Sequence, residues 1–271
     1  MTSLAEAVNV TLQVTWPGTV SANQGSGVVH IWLLATLTVS GSSPALRLGG
    51  TTQTCGTTLP PISLDAAGQI VSGGNSVQIT LPAGVWDAPS MPKYVIAGGA
   101  TGWDASSSIH FDPVVAPVGL AMAMSPVPWP RSSWGFPSGT QFTDADGDGK
   151  PGITAVPLDQ GGFVLPPTGL GLFGSAPTTD KIYIVSQNQL SLSGTRTSCT
   201  DAAGTADVTE FDNHVVGCHV KGGSDCTTGA PNTQADFVDQ SRTVYAVSSA
   251  TFVGKQLAAG ATCADVLSAL P

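Results

Sequence analysis

Val8-Asn9-Val10-Thr11-Leu12-Gln13-Val14-Thr15-Trp16 alternates without a break: Val8, Val10, Leu12, Val14 and Trp16 share one parity, while Asn9, Thr11, Gln13 and Thr15 share the other. Successive side chains of an extended chain point to opposite faces, so the pattern describes a strand with one face in a core and one in water, as antiparallel sheets have. Residues 28–39 follow, apolar on both faces around Ile31-Trp32-Leu33-Leu34, which suits a central strand. Val77-Gln78-Ile79-Thr80-Leu81 is a shorter alternating run, and further strands are expected at 181–185, 190–195, 206–211, 214–220 and 242–247. Turn clusters such as Ser40-Gly41-Ser42-Ser43-Pro44 and Ser72-Gly73-Gly74-Asn75 separate them. Thr262-Cys263-Ala264-Asp265 reads as a capping box that opens one short C-terminal helix. The expected fold is all-β, an antiparallel barrel or sandwich.

Composition agrees. Only 10% of the 271 residues are charged, 41% are hydrophobic, and Gly (33) and Pro (20) are abundant, which describes a globular chain and not a solvated coil. Of eighteen acidic residues only Glu6 and Glu210 are glutamates; aspartate favours turns and caps where glutamate favours helix interiors. With a net charge of −9 and nine scattered basic residues, no patch exists to neutralise a run of phosphates or an anionic membrane surface, so nucleic acid is not an expected partner. The uncharged stretch 114–127 is interrupted by Pro117 and Pro126 and is too short to span a bilayer, so no transmembrane segment is expected. The first residues lack both a basic and an apolar region, and Met1 reads as a start placed on a mature chain whose signal peptide has been removed.

Five cysteines, Cys55, Cys199, Cys218, Cys226 and Cys263, suggest an oxidising compartment, secreted or cell-envelope and bacterial. Cys218 with Cys226 across the Lys221-Gly222-Gly223-Ser224 turn, and Cys199 with Cys263, are the expected pairs, leaving Cys55 alone. A zinc site at Cys218, His219 and Cys226 lacks paired C-x-x-C spacing. Leu48-Gly49-Gly50-Thr51 ending in Cys55 matches Leu192-Ser193-Gly194-Thr195 ending in Cys199 in spacing. Two related β-meanders are therefore expected, 1–137 and 161–271, with a joint at 138–160, as two lobes or one continuous domain.

The joint carries the clearest chemical signal, Asp144-Ala145-Asp146-Gly147-Asp148-Gly149-Lys150-Pro151-Gly152. Three carboxylates at every second position repel one another unless a hard dication joins them, and calcium wants several oxygen ligands. The spacing resembles the calcium loops of EF-hands, dockerin modules and thrombospondin type 3 repeats over these nine residues, and no whole-chain family is recognised. The resemblance implies side-chain oxygens from Asp144, Asp146 and Asp148, the backbone carbonyl of Lys150, and a turn at Gly149. It breaks at Ala155, where an EF-hand has its glutamate, and at Pro151-Gly152, which stop an exiting helix; Asp159 is the candidate closing ligand.

Other chemistry is thin. G-x-S-x-G and H-E-x-x-H are both absent from the sequence. His110-Phe111-Asp112 and Asp212-Asn213-His214 each place a carboxylate and an imidazole on one side of an extended segment. Leu120, Met122 and Met124 alternate with alanines and, as a strand, present three adaptable side chains to one side; with Trp32 and Trp129 they are the candidate contacts of a small apolar ligand. The expectation is a secreted, calcium-stabilised, non-catalytic β-protein that binds such a molecule. The alternatives are an extracellular structural or adhesive subunit that mates with a neighbouring subunit, and a hydrolase using an Asp-His pair.

Overall fold

The computed structural model describes residues 2–16, 25–64, 75–82, 84–124, 140–158, 163–164, 178–226, 235, 239 and 243–271. Its strands are β1 (Thr2–Trp16), β2 (Gly25–Ser42), β3 (Ala45–Thr58), β4 (Ile62–Leu64), β5 (Asn75–Thr80), β6 (Tyr94–Ala100), β7 (Ser108–Val118), β8 (Ile153–Leu158), β9 (Phe163–Val164), β10 (Thr178–Arg196), β11 (Asp201–Val220) and β12 (Ala246–Leu257). A single 3-10 turn lies at Val85–Asp87, and a short helix, α1 (Cys263–Ala269), follows β12. Asp265 accepts hydrogen bonds from the Thr262 N–H (2.7 Å) and hydroxyl (2.8 Å), which closes the expected capping box.

Eight strands close a ring. Neighbours run β11-β12-β1-β2-β3-β6-β7-β10, and β10 pairs back onto β11, so the protein is an antiparallel barrel. Five ring strands precede residue 137 and three follow residue 161. β10 pairs with β7 from Ser186 to Thr195 and with β8 from Ile182 to Ile184. One long strand thus serves the barrel with one half and an appended sheet, β8-β5-β4, with the other.

The parity of β1 explains the core. Val8, Val10, Leu12, Val14 and Trp16 point into the barrel against Val29, Ile31, Leu48, Ile109, Leu192 and Phe252, all buried. Full burial of Val10 and Leu12 is worth roughly 1.5–3 kcal/mol each. Gln13 and Thr15 face water as the pattern requires, but Ala5 and Ala7 on the same outward parity are also buried. They lie beneath α1 with Leu34, Cys55, Cys263 and Val266, where small side chains let the helix approach the sheet.

A disulfide joins Cys55 to Cys263 with the Cα atoms 4.9 Å apart, and a second joins Cys218 to Cys226 at 5.0 Å. The expected Cys199–Cys263 pair is therefore corrected: Cys199 is a free, exposed thiol between β10 and β11. Cys55 lies beneath α1, at a bulge in β3. Trp32 pairs with Gly56 and Leu33 with Thr54, so Cys55 is an extra residue in β3, on the outer face with Gln53, whose side chain donates to Cys263 Sγ at 3.1 Å under α1.

Glu6 has the inward parity of Val8, and it meets Arg196 at one end of the barrel. The Arg196 Nη1 atom is 3.9 Å from Glu6 Oε1, its guanidinium carbon sits 4.2 Å from the centre of the Trp103 ring, and its Nη2 donates to the Cys199 carbonyl at 2.8 Å. Burial pushes the Glu6 carboxyl above the usual glutamate range, and the Arg196 charge opposes that only in part.

Candidate functional site

The loop from Asp144 to Gly152 is closed on itself by backbone bonds, Ala145 N–H to the Gly152 carbonyl (2.9 Å) and Gly152 N–H to the Thr143 carbonyl (2.7 Å). Inside it the Asp144 carboxylate accepts from the N–H groups of Gly147 (2.7 Å), Asp148 (3.2 Å) and Gly149 (2.8 Å). Gly149 supplies the sharp turn at φ +84°, a conformation that costs a side-chain-bearing residue and not glycine. One carboxylate oxygen each from Asp144, Asp146 and Asp148 lies within 4.8 Å of the other two.

The three carboxyls differ. Burial alone would raise Asp144, but the amides of Gly149, Gly147 and Asp148 outweigh it and hold the group below the usual range. Burial pushes Asp146 up, and the Asp148 charge adds to that against the Thr154 amide. Asp146 Oδ2 accepts from Thr154 N–H at 2.8 Å, while its buried Oδ1 has no hydrogen-bond partner. An orphaned carboxylate oxygen between two further carboxylates fits a hard cation, which prefers oxygen ligands. The Lys150 ammonium does not reach into the triad; it pairs with Asp225, which also accepts from the Tyr183 hydroxyl at 2.5 Å. That contact ties the loop to the turn spanned by Cys218–Cys226. Asp159 lies outside the described residues.

Of the described apolar candidates only Leu120 and Met124 are brought together. Trp32 is on the outer face of β2, under α1, and its Nε1 donates to the Leu270 carbonyl at 2.6 Å. Leu120 packs with Tyr183, Val185 and Val216, Met124 touches the same cluster, and Met122 is 74% exposed. The chain bends at Gly119, so Leu120, Met122 and Met124 form no strand; Leu120 and Met124 share one cluster, and Met122 is apart from it. Trp129 lies outside the described residues.

An apolar cavity exists elsewhere, inside the barrel, with a free volume of ≈ 60 Å³ and walls that include Val8, Leu33, Ile96, Phe111, Leu190 and Leu192. It sits where the ring is incompletely zipped. β6 pairs with β3 along its whole length but with β7 only at Gly98, Gly99 and Ala100. Beyond that point β7 carries Pro113 and Pro117, which have no N–H to offer a ladder. A larger groove of ≈ 310 Å³ lies outside the wall between α1 and the 3-10 turn; Thr36, Thr51, Gln53, Asp87 and Lys93 line it, which suits no apolar molecule.

The two Asp-His segments sit in different settings. His110 and Asp112 are both exposed on β7. His214 is fully buried, with Nδ1 3.0 Å from Asp239 Oδ2 and Nε2 3.2 Å from Asp212 Oδ2. Both ring nitrogens thus face carboxylates. His219 contacts Asp180 at 2.6 Å. Compared with models of protein families, with curated proteins and with solved structures, this chain shows no match.

Proposed function

We propose that this protein is a non-catalytic β-barrel of a secreted or cell-envelope compartment, braced by calcium, that holds a small apolar molecule in its interior. The observation that carries the reading is the apolar cavity at the unzipped β6–β7 seam. Its ≈ 60 Å³ falls short of the roughly 300 Å³ at which ligand pockets begin. The wall beside it is not sealed by ladder hydrogen bonds, however, so widening it breaks little. Calcium enters the reading through the convergence of Asp144, Asp146 and Asp148, with the Lys150 carbonyl as a further ligand. Two disulfides fit an oxidising compartment, and among the described residues no helix is long and apolar enough to cross a membrane.

Native mass spectrometry of protein purified from its producing cells, with the calcium-loaded and chelated forms side by side, tests both halves. The expected spectrum carries a retained neutral mass and a calcium adduct that chelator removes. A clean apo mass, together with no uptake of any hydrophobic fluorophore, overturns the ligand reading. One observation favours a second reading, a structural or adhesive subunit: Val95 on β6 is 80% exposed beside an edge that β7 leaves unpaired. Concentration-dependent oligomers from the apo protein would favour that role.

A further inference from the structure

We infer that the molecule enters the barrel sideways, through the seam between β6 and β7, that it is a single unbranched hydrocarbon chain with a neutral or cationic head, and that Tyr94 latches the seam. This rests on the reading that the interior takes an apolar molecule.

The ring has two places where neighbouring strands part, and they are finished differently. β12 pairs with β11 only from Thr251 to Lys255, and where the two diverge the gap is filled with aromatic rings. Tyr245 packs edge-on to Trp16 with centroids 5.7 Å apart, and Phe211 lies 6.0 Å from Tyr245. At the other parting, between β6 and β7, the interior is the cavity itself, with Tyr94 and Phe111 among its walls. One hydrogen bond crosses it, from the Tyr94 hydroxyl to the Pro117 carbonyl at 2.5 Å. Tyr94 shares the inward parity of Ile96 and lines the cavity, so its ring roofs the space and its hydroxyl holds the two strands together.

The shape and lining select the guest. A cavity that takes benzene measures about 150 Å³, so ≈ 60 Å³ seats the end of a chain and not a ring. Of the lining residues only Tyr94 and Asp112 are ionisable, and Asp112 is exposed at the mouth. No cation lines the cavity among the described residues, and the chain's net charge is −9. A carboxylate head would meet like charge there, whereas an alcohol or an ammonium would not.

The test uses the full chain carrying Cys199→Ser, with N-dodecyl dansylamide as fluorophore, its dodecyl chain free to enter while the dansyl group stays at the mouth, and dodecanol, dodecylamine and dodecanoate as competitors. Dodecanol and dodecylamine are expected to displace the fluorophore about tenfold more effectively than dodecanoate. Tyr94→Phe keeps the ring but loses the latch, and is expected to speed uptake several-fold with affinity nearly unchanged. Val95→Cys with Val115→Cys, joined by a short bismaleimide, staples the seam and is expected to abolish uptake that the unstapled variant retains. Ile96→Phe fills the cavity and is expected to abolish binding while unfolding stays cooperative. Three results discriminate. If no fluorophore or competitor binds the parent protein, the ligand reading falls and this inference with it. If the stapled protein takes up dodecanol as fast as the parent, sideways access is wrong while the ligand reading stands. If dodecanoate competes as well as dodecanol, the assignment of the head is wrong.

Discussion

Replacing Cys55 and Cys263 together by alanine removes the bond that holds α1 against the barrel and closes a loop across a sequence separation of 208 residues. In the chain-entropy account the stabilisation grows with the logarithm of loop length, which puts this bond at roughly 5 kcal/mol and the Cys218–Cys226 bond, with a separation of 8, at about 2.5 kcal/mol. For a chain of this size that loss lowers Tm by roughly 10–20 °C. Cys199 is exposed and unbonded, so Cys199→Ser should leave urea unfolding within about 0.5 kcal/mol of the parent. Thiol labelling gives an independent readout. The native protein should expose one thiol that reacts at once, and Cys199→Ser should expose none even after denaturation without reductant. Were Cys199 bonded to Cys263 instead, the one free thiol would be Cys55, which is 1% exposed and would react only on unfolding. A slow native thiol, or a Cys199→Ser protein destabilised by 2 kcal/mol or more, would refute the pairing and with it the docking of α1.

Three further outcomes follow from the structure. Saturating calcium at ten to a hundred times its dissociation constant should add roughly 1.4–2.7 kcal/mol to stability, and Asp146→Asn should abolish the gain; superimposable melts with and without chelator would count against a cation at Asp144, Asp146 and Asp148. Glu6 is raised above its unfolded value by burial, so between those two pH values the folded state binds more protons than the unfolded state and stability falls as pH rises; urea midpoints across that window should show this slope in the parent and not in Glu6→Gln. His214→Leu leaves Asp212 and Asp239 facing a hydrocarbon in a buried site, and should cost about 3–5 kcal/mol in urea unfolding, where a loss below 1 kcal/mol would mean that His214 holds nothing together.

What was legible in the chain is what depends on near neighbours. The alternation of β1 is written in consecutive residues because one face meets the barrel core, and the Asp144, Asp146 and Asp148 spacing is visible because a nine-residue loop brings its own ligands together. Parity reasoning fails where the backbone loses step. The bulge at Cys55 leaves that residue unpaired and shifts the step of β3 beyond it, and the bend at Gly119 ends the strand before the Met122 run begins. The paired runs expected at 181–185 with 190–195, and at 206–211 with 214–220, are each one continuous strand, β10 and β11. Ile182 and Leu192 therefore share β10, whereas Ile31 and Leu48 lie on separate strands, so the two matched Cys-ending segments sit in unlike settings. Residues 31–34 are apolar on both faces, and a sequence does not say that a distant helix will cover the face that carries Trp32.

The same contrast bears on where function resides. Most of the barrel wall is fixed by ladder hydrogen bonds, which are indifferent to side-chain identity and therefore invisible in composition. The β6–β7 seam is the exception: the ladder stops at Phe111, and Pro113 and Pro117 follow in a segment otherwise fit for a strand. Restoring a donor there, by Pro113→Thr, should lengthen the β6–β7 ladder toward Ile96, protect new amides from hydrogen exchange and stabilise the fold. If the seam is the portal, the same change should slow uptake of an apolar probe; a stabilised seam with unchanged uptake would separate the structural role of the prolines from any role in binding.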